Sequence, residues 1–228
     1  MPSARKNRPL LLGHRGARAL KSIPENTLAS FDQALRDGCD GFEFDVRLTS
    51  DSMAVIGHNP HWKSVEIARA SSEKLFELPR LERVLALYRE RAFLDIELKV
   101  RGLEAITARL VQRFRPRRGF VVSSFLPEVL EGVHHQDATL PIGLICETTA
   151  QLRPWERLPL ECVIPHHRLL DSGLIAEWKA AKKRILVWTV NSRGDMLRFR
   201  DWGVDGIISD DTQLLSRTLG VQGPTVPA

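Results

Sequence analysis

From residue 9 to residue 219, short apolar runs alternate with longer amphipathic ones, and this alternation limits the possible folds more than any single motif does. PLLLGHRG (9–16) reads as a strand and turn. PENTLASFDQALRDGC (24–39) reads as a helix, with Asn26 or Thr27 suited to its cap region and Gly38 to its end. GFEFDVRLT (41–49) is a strand, and MAVIGH (53–58) extends the edge of the same unit. SSEKLFELPRLERVLALYRE (71–90) carries a helix, its second half periodic in Leu81, Val84, Leu85 and Tyr88. Strands follow at 92–100, 119–125, 141–147, 161–167, 184–191 and 204–210. Between and after them come helices at 102–114, 127–136, 150–158, 172–183, 194–203 and 212–219. About eight strand–helix units in one chain predict an α/β protein, a closed (β/α)8 TIM barrel rather than an open sheet. No GxGxxG follows the first strand, which weakens the dinucleotide-binding alternative.

No break in composition marks a domain boundary, so a single barrel domain is expected over 8–219, with a short insertion after the second strand. Segments 1–7 and 220–228 are expected to be flexible tails. Nowhere do 18 apolar residues run together, so no transmembrane helix is expected. The apolar stretch after the basic start, Leu10 to Leu12, is too short for a secretion signal. Cys39, Cys146 and Cys162 are odd in number and scattered, which fits a reduced compartment, and a cytoplasmic protein is expected. The net charge of +5 comes from dispersed arginines, RFRPRR (113–118) being the only run, so no nucleic-acid partner is expected.

Active sites of such barrels lie at the carboxyl ends of the strands. Those ends carry His14 and Arg15, then Glu43 and Asp45, then His58, Glu97 with Lys99, Ser124, His166 with His167, Trp188, and Asp210. Ionisable groups pointing into a barrel are costly unless paired or holding a metal. Glu97 with Lys99 is the obvious structural ion pair, and Trp188 reads equally well as a core residue. Yet Glu43, Asp45 and Glu97 put three carboxylates on adjacent strands, and oxygen-only ligation suits a hard cation, Mg2+ or Ca2+. Arg15 and Lys99 add fixed positive charge for an anionic substrate, and His14 and His58 supply an acid and a base near neutral pH. Together these describe phosphoryl-transfer chemistry. Two carboxylates alone would also suit a glycosidase, but the extra cations and histidines argue against it.

HRG at 14–16, PENT at 24–27, FEFDV at 42–46 with His58, IELK at 96–99, SSF at 123–125 and VWTVN at 187–191 resemble the glycerophosphodiester phosphodiesterase family, in order and over nearly the whole chain. The resemblance implies a metal-dependent barrel enzyme that cleaves glycerophosphodiesters to glycerol 3-phosphate and an alcohol. It implies Glu43, Asp45 and Glu97 as metal ligands and His14 and His58 as the acid–base pair. Arg15 and Lys99 would contact the phosphate, and Trp188 would form the aromatic wall of the pocket. Glu25 and Asn26 would support the site or cap a helix, while Ser124, His166, His167 and Asp210 are expected to be structural.

Three features depart from the family pattern. Asn59 follows the second histidine where Asp is usual, Asp51-Ser52 stands where Asp-Gly is common, and NPHWKSVEIARAS (59–71) replaces the usual loop. Two further readings follow: a lysophospholipase D-type enzyme, favoured by an exposed apolar rim around Trp62, or a non-catalytic binding protein on the same barrel. The substrate is expected to be a small glycerophosphodiester, and oligomeric state is left open.

Overall fold

Parallel strands buried on both faces read as apolar runs, and every expected run forms a strand in the computed structural model, which describes residues 8–220. The expected tails lie outside the described residues except for Gly220. In chain order the strands are β1 (Leu10–Gly13), β2 (Gly41–Leu48), β3 (Ala54–Ile56), β4 (His61–Trp62), β5 (Val65–Glu66), β6 (Phe93–Leu98), β7 (Phe120–Ser124), β8 (Ile142–Cys146), β9 (Cys162–Pro165), β10 (Arg184–Val187) and β11 (Gly206–Ser209). The helices are α1 (Leu28–Arg36), α2 (Leu81–Tyr88), α3 (Glu104–Arg113), α4 (Pro127–Gln136), α5 (Thr149–Leu152), α6 (Ser172–Ala180), α7 (Arg193–Asp201) and α8 (Thr212–Leu219). Strands β1, β2 and β6 to β11 are parallel and pair in succession. The sheet closes because β1 pairs on one side with β11, Leu10 opposite Gly206, and on the other with β2, Leu12 opposite Gly41. This is the (β/α)8 barrel.

Period two sorts each strand into an outer and an inner row. On β2, Phe42, Phe44 and Val46 face the helices. Phe42 stacks on Phe31 of α1 with centroids 4.3 Å apart, and Tyr88 of α2 meets it edge-on at 5.0 Å. The inner rows pack Leu12, Phe93, Val121, Ile145, Ile164, Leu186 and Ile208 together inside the barrel. Glu43 and Asp45, on the inner row of β2, stand beside Asp95 and Glu97 of β6 in register. Gly41 is needed at the start of β2, because a Cβ there would overlap the Phe93 carbonyl oxygen of the neighbouring strand.

Thr27, not Asn26, caps α1, its side chain accepting from Ser30 N. The expected helix over 71–90 is realised only as Leu81–Tyr88, since 72–78 runs in turns and Pro79 precedes the helix. Leu75 and Leu78 from that stretch pack with Val55, Ile67 and Ala70 into a small separate core under the insertion after β2. The helix expected over 150–158 shrinks to the short α5 and a 3-10 turn, Arg153–Glu156, at Pro154. Phe42→Ala empties the stacked aromatic layer between β2 and its helices at a cost of about 3–5 kcal/mol. Thermal unfolding should show Tm lowered by on the order of 10 °C.

Candidate active site

The inner-row acids of β2 and β6 meet at the carboxyl end of the barrel. One oxygen each from Glu43, Asp45 and Glu97 lies within 4.8 Å of the others, and all three residues are buried. Glu43 Oε1 is a buried atom without a hydrogen-bond partner. Lys99 Nζ pairs with Glu97 Oε1 at 2.6 Å and with Asp45 Oδ1 at 3.2 Å. The guanidinium Nε of Arg15 lies 3.2 Å from Asp45 Oδ2. Two cations facing three carboxylates leave the cluster short of positive charge. Convergent buried carboxylate oxygens, with Glu43 Oε1 orphaned among them, are a fit for a hard divalent cation.

The local backbone is strained to bring these groups together. Arg15 (φ 52) and Asn26 (φ 59) both hold left-handed conformations, uncommon for residues other than glycine. The third residue of HRG is Gly16 (φ +82), where a Cβ would run into the backbone of Ser30. This turn lets Arg15 N donate to Glu43 Oε2 at 3.0 Å. Asn26 Nδ2 donates to Asp45 Oδ2 at 2.8 Å, and Arg15 pairs with Glu25 at 2.8 Å. Thus Glu25 and Asn26 of PENT support the cluster, while Thr27 of the same segment caps α1.

The histidines approach from opposite sides. His14, at the end of β1, places Nδ1 2.7 Å from Asp210 Oδ1 and Nε2 3.8 Å from Glu43 Oε2. Asp210 also binds Arg18 at 3.1 Å and accepts from Asn191 Nδ2 at 2.8 Å. Burial raises the Asp210 carboxyl, but hydrogen bonds from His14 and Arg18 outweigh it and hold the pKa low. His58 follows β3, its carbonyl accepting from Arg47 Nε at 2.8 Å and its Nδ1 2.9 Å from Asn59 Oδ1. Burial holds its pKa below the usual imidazole range.

A cavity of about 300 Å³ opens over this cluster, lined by His14, Arg15, Glu43, His58, Glu97, Lys99 and Trp188 among others. Asp45 lies beneath it, fully buried. Every candidate site residue from the sequence therefore converges on one place. Asp95, Phe125 and Glu147 also line the cavity and were not foreseen. Asp95 had a signal, the same i, i+2 spacing to Glu97 that pairs Glu43 with Asp45. Asp210, expected as structural, instead holds His14. Ser124 is structural as expected, donating to Leu98 O. Trp62 is half-buried and packs against the small core under the insertion.

With fold and site in view, the chain belongs to the glycerophosphoryl diester phosphodiesterase family, whose model matches residues 14–83 and 66–214. It is 28% identical over 235 residues to a glycerophosphodiester phosphodiesterase of Caldanaerobacter subterraneus subsp. tengcongensis, covering 90% of this chain and 96% of that one. A Bacillus altitudinis protein of the same name is 27% identical over 88% of this chain and 94% of its own. Among solved structures, a phosphodiesterase of Oleispira antarctica in complex with the product sn-glycerol-3-phosphate superposes with a TM-score of 0.81. It is 24% identical and covers 92% of this chain and 96% of its own. A glycerophosphodiester phosphodiesterase of Thermotoga maritima gives a TM-score of 0.80 at 22% identity, over 92% and 97%. No helix among the described residues is long and apolar enough to cross a membrane.

Without a cation the acids cannot all ionise. Burial and then Asp45 push Glu97 up to about 8, burial pushes Asp95 up to about 7, and Glu43 is raised by burial and by its acidic neighbours. For Asp45, burial is outweighed by Lys99, Arg15 and Asn26, and its pKa is lowered. Raised carboxyl groups bind more protons folded than unfolded, so this contribution falls as pH rises from the unfolded acid range to about 8. Chelated protein should lose Tm between pH 5 and pH 8 (roughly the window set by these shifts), and adding Mg2+ or Ca2+ should restore most at the alkaline end. Calorimetry with and without EDTA checks both.

Proposed function

We propose that the protein hydrolyses glycerophosphodiesters to glycerol 3-phosphate and an alcohol. In this reading His14 and His58 move protons, Arg15 and Lys99 face the phosphate, and Trp188 walls the pocket. Glu43, Asp45 and Glu97 hold a divalent cation, Mg2+ or Ca2+. The observation that carries the reading is the meeting of two histidines, two cations and three carboxylates around one cavity of about 300 Å³. Family membership and the product held by the Oleispira antarctica phosphodiesterase support it. All three cysteines are free, which supports a working place in the reducing cytoplasm.

A cation held by Glu43, Asp45 and Glu97 would supply positive charge against the phosphate and favour loss of a proton from the attacking hydroxyl. The chain's own groups do the rest. Arg15 and Lys99 hold the phosphodiester through charge-assisted hydrogen bonds, favoured where charge is shielded from water. Neutral His58, donating from Nδ1 to Asn59, presents its Nε2 lone pair and takes the proton of the attacking hydroxyl, the glycerol 2-hydroxyl or water. His14, its Nδ1–H fixed by Asp210, presents Nε2 and gives a proton to the oxygen of the departing alcohol as its bond to phosphorus breaks. Where the 2-hydroxyl attacks, water then opens the cyclic phosphate.

The direct test is a panel of glycerophosphodiesters with choline, ethanolamine, glycerol and inositol head groups, assayed with Mg2+, Ca2+ or EDTA. Release of glycerol 3-phosphate that EDTA abolishes is expected, and no release from any of them would sink the reading. His14→Ala and His58→Ala should each lower kcat by about 10²–10⁴-fold while circular dichroism stays that of the wild type. Asn59→Asp places a carboxylate beside His58 and raises its pKa. The acid limb of the kcat/KM profile should therefore move to higher pH. Movement of the alkaline limb instead would make His58 the acid.

A further inference from the structure

The cavity has two unlike halves. Beside β11, β1, β2 and β6 lie the carboxylates, the cations and the histidines. The loops after β7, β8 and β10 present instead Phe125, Glu147 and Trp188, above an apolar floor of Ile145 and Ile164. The Trp188 ring meets Phe125 edge-on at 5.6 Å and His166 edge-on at 5.2 Å. Its only donor, Nε1, is committed to Ile164 O at 2.9 Å, which fixes the indole plane and leaves no N–H for a ligand. Behind Trp188, the His166 Nδ1 accepts from Arg168 N at 3.3 Å, and burial, then the neighbouring His167, keeps this ring below the usual imidazole range.

Glu147 stands at the rim of this aromatic half. Its backbone N is held by Gln151 Oε1 at 2.8 Å, while its carboxylate makes no ion pair or hydrogen bond among the described residues. It lies close enough to His166 to act on that ring's proton affinity. Aromatic faces at right angles, no spare indole donor, and one unpaired carboxylate suit a group that is cationic, bulky and unable to hydrogen-bond. A neutral polyol would leave hydroxyls unmatched against these rings. The opposite half, with Arg15 and Lys99, is matched to a phosphate. Lys99 Nζ lies 5.6 Å from the Phe125 ring, so Phe125 is where the two halves join.

We infer that the aromatic half with Glu147 is a head-group subsite for a quaternary ammonium, making choline-type glycerophosphodiesters the preferred substrates. This rests on the phosphodiesterase reading above. The zwitterion is then read at both ends: its phosphate against Arg15 and Lys99, its ammonium against Phe125, Trp188 and Glu147.

The test compares glycerophosphocholine with its 3,3-dimethylbutyl analogue, in which carbon replaces nitrogen and only the charge is lost. The wild-type kcat/KM ratio should favour the choline ester by about tenfold, the scale of a desolvated cation–aromatic contact with a carboxylate nearby. Glu147→Gln should lower that ratio several-fold, and Glu147→Asp should restore part of it. Because Glu147 is exposed, neither change threatens the fold. A wild-type ratio near one, or a ratio unmoved by Glu147→Gln, overturns the subsite while leaving the phosphodiesterase intact. No hydrolysis of either ester overturns the phosphodiesterase reading itself.

Discussion

Three carboxylates held within 4.8 Å of one another, away from water, are the constraint around which the upper barrel is arranged. Like charges so placed repel far more strongly than in solvent, so the chain must answer them with cations, hydrogen bonds or retained protons. It uses all three. Lys99 and Arg15 lean on Asp45, Asn26 and the Arg15 amide donate to Asp45 and Glu43, and Glu43 and Glu97 keep raised pKa values. The left-handed backbone at Arg15 and Asn26 belongs to the same arrangement, since those two donors reach the acids only from that turn.

Below this level the barrel is ordinary, and that contrast is functional. The lower interior is plugged by Leu12, Phe93, Val121, Ile164 and Leu186, a dry packing that needs no charge. Strand pairing then transmits its order upward. Because Asp45 sits opposite Glu97 and Glu43 opposite Asp95 in the β2–β6 register, a one-residue slip would turn the acids onto the helix-facing side. The aromatic layer of Phe31, Phe42 and Tyr88 opposes such a slip, since it would have to enter the barrel in exchange.

Much of this was legible in the sequence because it rests on short-range periodicity. Alternation along 42–46 separates Phe42, Phe44 and Val46 from Glu43 and Asp45, and the strand ends placed His14, Arg15, Lys99 and Trp188 around the same mouth. What escaped depends on contacts that no local pattern encodes. Asp210 is 196 residues from His14 in the chain, and its role appears only when β11 closes against β1. Asn26 looked like a cap because PENT precedes a helix, yet a positive φ turns its side chain toward β2 instead. Residues 72–78 have helical composition, but Leu75 and Leu78 are recruited to the small core under the insertion and the segment winds as turns. Glu147 carries no motif at all and is notable only for what surrounds it.

That small core has a consequence for how the molecule can fail. His14 is fastened to the seam where the barrel closes, through Asp210 and Arg18. His58 is fastened to β2, since Gly57 N donates to Asp45 O and Arg47 Nε to His58 O, while the insertion beyond it has a cluster of five buried side chains with a few partners. Segments with so little buried area open more readily than the strands that bear them. An opening of the insertion beyond Asn59 would leave His58 anchored to β2 and His14 to the seam. Both halves of the proton machinery are thus mounted on the foundation.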